Sequence, residues 1–124
     1  EAIEEAEKLG IKVITGDELH EMGIKEAGKV MRERLGDRPV FLTFDIDFCD
    51  PSCAPGTGTI EPCGFTSYEA MALLRELKDS YVVAMDMVEV LPAIDPSGQT
   101  AFLASMIIDE VLAMKARRVM LGMK

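Results

Sequence analysis

Val40-Phe41-Leu42-Thr43-Phe44-Asp45-Ile46-Asp47-Phe48-Cys49-Asp50-Pro51-Ser52-Cys53-Ala54-Pro55-Gly56-Thr57-Gly58-Thr59 is the stretch on which the reading of the chain turns. Its opening residues are apolar, aromatic and β-branched, which predicts a strand running into two aspartates. On an extended backbone residues i and i+2 share a face, so the spacing predicts that Asp45 and Asp47 stand side by side. Two carboxylates that close repel unless something neutralises them. A hard divalent cation such as Mn²⁺ or Mg²⁺, which prefers oxygen ligands, does this best. The spacing alone leaves open the plainer alternative, in which strand-end acids cap the next turn. The prolines and glycines that follow predict a stiff loop, and Asp50 before Pro51 is read as a turn-setting residue.

Upstream, residues 1–9 carry Ala2, Ile3, Ala6 and Leu9 at helical spacing, with Gly10 as a C-cap. Residues 11–15 read as a short strand and Gly16-Asp17 as a turn. His20, Met22 and Gly23 lead into an amphipathic helix with Ile24, Ala27, Val30, Met31 and Leu35 on one side. Downstream, Thr66-Ser67-Tyr68-Glu69 resembles a capping box, opening a helix that buries Met71, Leu74 and Leu77. Residues 81–85 form a third strand, apolar on both faces as central parallel strands are. The last helix, residues 100–115, is apolar nearly all round and so needs covering by other elements or another subunit. Alternating helices and strands predict an α/β fold with a parallel sheet and helices on both faces.

The chain has 124 residues, 48% of them hydrophobic, enough for one domain with a core. A net charge of -9 disfavours nucleic acid or an anionic membrane surface as partner and is compatible with a cationic substrate. No run is long and apolar enough for a membrane-spanning helix, and no secretory pattern opens the chain. Three cysteines make a closed disulfide framework unexpected and fit a reducing cytoplasm. Cys49, Cys53 and Cys63 lack zinc-site spacing and read as reduced loop thiols. The single histidine, His20, reads as structural, since one imidazole builds no His-rich site. The chain opens on Glu1, already inside a helical pattern, which reads as a piece that has lost its natural beginning. No internal repeat or low-complexity linker divides it.

The run Asp-Ile-Asp-x-x-Asp-Pro-x-x-Ala-Pro-Gly-Thr-Gly-Thr over residues 45–59 resembles the signature of the ureohydrolases, the manganese enzymes that include arginase and agmatinase. The resemblance continues through Asp86-Met87-Val88-Glu89-Val90 and Asp95-Pro96-Ser97-Gly98, and so covers residues 40 to about 113. It implies a three-layer α/β/α arginase-like fold of which residues 1–124 are the C-terminal part. It also implies two Mn²⁺ ions held in part by Asp45 and Asp47, Glu89 as the guanidinium-binding glutamate, and Thr59 beside the substrate. Read without the family, Glu89 is an ordinary strand-end acid, and Thr57 and Thr59 simply suit a tight loop. Asp86 would need a partner if buried among Val83, Met85 and Val88. The sequence departs from the family pattern at Ile60, where proline is usual, and at Cys63, where glycine is usual.

The expected activity is hydrolysis of a small guanidino compound to urea and an amine. The Asp95-Pro96-Ser97-Gly98 run looks more like the agmatinase branch, with guanidino acids or formimino compounds as alternatives. A homo-oligomer is expected. No catalytic residue lies in this chain, because the family's catalytic histidine and remaining ligands come from upstream motifs. The chain alone is therefore expected to be inactive and to bind Mn²⁺ weakly. A catalytically silent structural or regulatory subunit is the second hypothesis. A generic metal-binding phosphotransferase is the third, and the lack of a Gly-rich phosphate loop counts against it.

Overall fold

Two parallel strands and the loops that leave them carry the candidate site. In the computed structural model, which describes residues 2–123, β1 (Val40–Asp45) pairs with β2 (Val82–Val88), with Phe44 opposite Met87 and Asp45 opposite Val88. The helices are α1 (Ala2–Lys8), α2 (Gly16–Leu35), α3 (Ser67–Glu76) and α4 (Gln99–Met120). Helix α3 joins the two strands, as a parallel pair requires. Glu1, which opens the expected first helix, lies outside the described residues.

The principal core forms where Phe44, Ile46, Ala70, Leu74, Val82, Ala104, Ile107 and Val111 meet, so β1, α3, β2 and α4 share one apolar interior. Ile46 and Ile107 are fully buried. Burying a side chain of that size stabilises the fold by about 1.5–3 kcal/mol. A second cluster of Leu19, Ala27 and Phe65 packs α2 against the end of the aspartate loop.

Thr66 caps α3 as expected: its hydroxyl accepts from Glu69 N at 3.2 Å, and the Glu69 carboxylate accepts from Thr66 N at 2.8 Å. The same device starts α2. Thr15 and Glu18 form a second capping box, so Gly16-Asp17 begins a helix and is not a turn. Inside α2, Gly23 takes a left-handed φ of 77°, and the helix kinks there.

Two further expectations are corrected. Residues 11–15 form no strand, and the sheet of the described residues has two strands rather than three. A groove lined by Lys12, Ile14, Val30, Met31, Val40 and Phe41 separates this segment from β1. The last helix is also longer than expected, running to Met120, because no breaker intervenes before Gly122. One face of it is buried through Ala104, Ile107, Val111 and Met114, while Phe102 and Leu112 stand exposed. Phe41 and Val83 are exposed on the sheet itself.

Candidate functional site

At the end of β1 the chain does not continue extended. It tightens into a short 3₁₀ turn, Ile46–Phe48, and the Asp45 carboxylate accepts from Asp47 N at 3.1 Å to cap that turn. Asp45 and Asp47 are therefore neighbours across a turn, not alternate residues of one strand face. Ile46 between them is fully buried, and the two carboxyl-bearing residues stand on its outer side. Both aspartates remain half-buried at the sheet's carboxyl edge. In open α/β sheets that edge is where ligands bind.

The loop after them is closed on itself. Asp50 N donates to Phe65 O at 2.9 Å and Phe65 N to Phe48 O at 3.0 Å, bridging the loop's two ends. The Asp50 carboxylate accepts from Ser52 N at 2.9 Å and Cys63 N at 3.1 Å, which lowers its pKa and gives it the turn-setting role read from the sequence. An aromatic stack backs this closure. The Phe48 and Phe65 rings lie 4.6 Å apart, and the His20 ring stacks on Phe65 at 4.2 Å. His20 Nε2 donates to Cys63 O at 3.0 Å, so the imidazole is held in a structural contact. His20 also lines a cavity of about 390 Å³ together with Asp17, Asp47, Glu61 and Cys63.

Glu89 directly follows Val88, the β2 partner of Asp45, so the strand register brings its backbone to the exit that carries the aspartates. Its φ of 62° is left-handed, a conformation that costs a non-glycine residue about 1–2 kcal/mol. Such strain clusters at functional positions. A Cβ added at Gly58 would lie 3.8 Å from Glu89 Oε2, so the Thr57-Gly58-Thr59 backbone runs beside that carboxylate. Thr59 is exposed, whereas Thr57 is buried and its Oγ1 meets no hydrogen-bond partner among the described residues. Asp86 is exposed on β2, which removes the need for a buried partner.

The electrostatics of the cluster are one-sided. Burial, the Asp45 hydrogen bond and the charges of Asp45, Glu61 and Glu89 push the Asp47 carboxyl up to about 6. Glu61 was passed over in the sequence, and its only signal there is its position two residues after Thr59. Oxygen donors this short of positive charge suit a hard divalent cation. Among the described residues no group of three His, Cys, Asp or Glu side chains is poised around one ion. Cys49 is buried and its thiol is pushed up to about 12 by that burial, which makes it an inert core side chain.

A parallel α/β sheet thus carries paired aspartates after one strand and a strained glutamate after the next. Residues 1–114 match the pattern of the arginase family, and the chain belongs to that family. It is 42% identical to the proclavaminate amidinohydrolase of Streptomyces clavuligerus over 94% of this chain and 37% of that protein. It is 39% identical to an agmatinase of Chromobacterium violaceum over 92% of this chain and 35% of that one. The solved structure of the Streptomyces amidinohydrolase superposes with a TM-score of 0.90, covering 94% of this chain and 39% of that one. Arginase from Bacillus subtilis, 27% identical, superposes with a TM-score of 0.81 over 88% of this chain and 38% of that one. The fold is thus arginase-like, and the chain spans a little over a third of the length of these relatives.

Proposed function

We propose that this chain is the C-terminal part of a manganese-dependent ureohydrolase acting on an agmatine-like guanidino compound. The observation that carries the proposal is the convergence of Asp45, Asp47 and Glu89 at the carboxyl edge of two parallel strands. Asp45 and Asp47 would hold the cation, together with ligands from residues beyond this chain. Bound there, a pair of Mn²⁺ ions supplies Lewis acidity that makes water nucleophilic near neutral pH.

The chain's own residues bind and orient the substrate. Glu89, aimed by its left-handed backbone, accepts N–H bonds from a planar guanidinium, a charge-assisted contact. The Thr59 hydroxyl, exposed one residue beyond Gly58, is available to the same substrate. Hydrolysis adds water at the guanidinium carbon and breaks its bond to the substituted nitrogen. Urea leaves, and the amine takes up a proton. The negative field at Asp47, Glu61 and Glu89 favours a cationic substrate over an anionic one. Exposed Phe102 and Leu112 on α4 support assembly into a homo-oligomer. No helix among the described residues is long and apolar enough to cross a membrane, and we place the protein in the cytoplasm.

The test is release of urea from agmatine, arginine and guanidinobutyrate by the protein as its gene encodes it, with Mn²⁺ supplied. Urea from agmatine is the expected result, and no urea from any of the three would sink the hydrolase reading. Calorimetry on residues 1–124 alone should show weak Mn²⁺ binding, because two carboxylates cannot fill two coordination spheres. Tight binding of two ions would overturn the need for outside ligands.

A further inference from the structure

The site has two halves, the aspartate loop after β1 and Glu89 after β2, and something must set their spacing. The first turn of α4 and the chain after Glu89 meet at Gly56. Gly56 N donates to the buried Thr100 Oγ1 at 2.7 Å, and Leu91 N, two residues past Glu89, donates to Gly56 O at 2.7 Å. Both faces of one peptide-bearing residue are thus engaged, one by α4 and the other by the chain leaving β2. Gln99 Nε2 adds a third tie, donating to Ser52 O at 3.1 Å.

Thr100 is itself held. Its backbone N–H donates to Asp95 Oδ2 at 2.8 Å, while its hydroxyl accepts from Gly56 N. Ser97 Oγ donates to the other Asp95 oxygen. Bonds chained in this way polarise and strengthen one another. The contact is close as well as polar: a Cβ at Gly56 would lie 2.7 Å from Asp95 Cβ and 2.9 Å from Thr100 Oγ1. Only glycine lets the loop sit this near to α4.

We infer that Thr100, held by Asp95, is a positioning residue that fixes Glu89 against the Thr57–Thr59 loop by way of Gly56 and Leu91. Neither Thr100 nor Asp95 touches the substrate. This inference rests on the ureohydrolase reading for its kinetic consequence, and on the hydrogen bonds alone for its structural one.

The test compares wild type, Thr100→Val and Thr100→Ser in the protein as its gene encodes it. Valine keeps the shape and removes the hydroxyl that accepts from Gly56 N, whereas serine keeps it. Thr100→Val should raise KM for the guanidino substrate roughly tenfold, the scale of one lost buried hydrogen bond. The value of kcat should stay near wild type, because the chemistry lies elsewhere. Thr100→Ser should restore KM. In parallel, hydrogen exchange should show the Gly56 and Leu91 amides losing protection together in Thr100→Val. An unchanged KM, or a serine variant as impaired as valine, overturns the inference while leaving the hydrolase reading intact. If wild type releases no urea, that reading fails by itself and exchange decides. Joint loss at Gly56 and Leu91 supports the link, and retained protection at Leu91 overturns it.

Discussion

Asp47 lies in the 3₁₀ turn that follows β1 and Asp95 seven residues past the end of β2, and the protein drives them in opposite directions. Asp47 is crowded by burial and by the charges of Asp45, Glu61 and Glu89, and its carboxyl is pushed up to about 6. Asp95 accepts from Ser97 Oγ and from the Thr100 backbone N–H, and its carboxyl is held down at about 2. The difference lies in what each region supplies for itself. Around Asp95 the chain provides every donor the carboxylate needs, and the result is a cap for α4. Around Asp47 it provides more acceptors, and the result is a place that positive charge would relieve.

The sharpest way to break the Asp95 side is Gly56→Ala. The added methyl must displace Asp95 or Thr100, and overpacking of this kind costs about 1–3 kcal/mol. A lowered denaturation midpoint in urea is the expected result. An unchanged midpoint would mean that the loop is not seated on α4.

A smaller effect is expected from Glu89→Gly. It relieves a left-handed backbone costing about 1–2 kcal/mol but adds glycine's chain entropy of about 0.5–1 kcal/mol. Stability should rise slightly while urea release falls steeply. A stabilised variant with full activity would remove Glu89 from the substrate's environment.

The two aspartates also differ in the sign of their pH dependence. For Asp47 the folded value of about 6 lies above the ordinary carboxyl value of 3.8, so the folded state binds the proton more tightly. This group destabilises the metal-free protein above about pH 6, and that penalty fades as the pH falls towards 4. Asp47→Asn should therefore raise the metal-free Tm by a few degrees at pH 8 and leave it unchanged at pH 4. A lowered Tm at pH 8 would show that the charged carboxylate has a partner.

For Asp95 the folded value of about 2 lies below 3.8, so its stabilisation is complete above about pH 4 and is lost as the pH falls towards 2. Asp95→Asn should flatten that part of the acid-denaturation curve. A curve of unchanged slope would contradict the assignment.

Much of this arrangement was legible in the sequence, and the misses have physical causes. The strand from Val40, the Thr66 capping box and the parallel α/β class follow from local patterns that the structure repeats. The Thr15-x-x-Glu18 box is the same signal, overlooked because Gly16-Asp17 reads so readily as a turn. The expected strand over residues 11–15 failed because β pairing depends on a partner, which periodicity cannot supply. Asp45 and Asp47 do stand side by side, but across the 3₁₀ turn Ile46–Phe48, whose capping bond from Asp47 N to Asp45 the strand pattern did not announce. Glu61 and Thr100 were invisible because their roles come from contacts across the fold, 14 and 44 residues from their partners Asp47 and Gly56. The family itself was legible in residues 45–59, and the match over residues 1–114 bears it out.

The three thiols offer a practical handle. Cys49 is buried with its thiol pushed up to about 12, and Cys53 is half-covered with its Sγ turned to Asp50 O at 3.3 Å. Cys63 stands exposed, in the wall of the cavity that also holds Asp47. A maleimide dye at neutral pH will therefore label Cys63 ahead of the other two. That places a reporter at the mouth of the site without engineering a cysteine, and its emission can follow a cation or guanidinium arriving next to it.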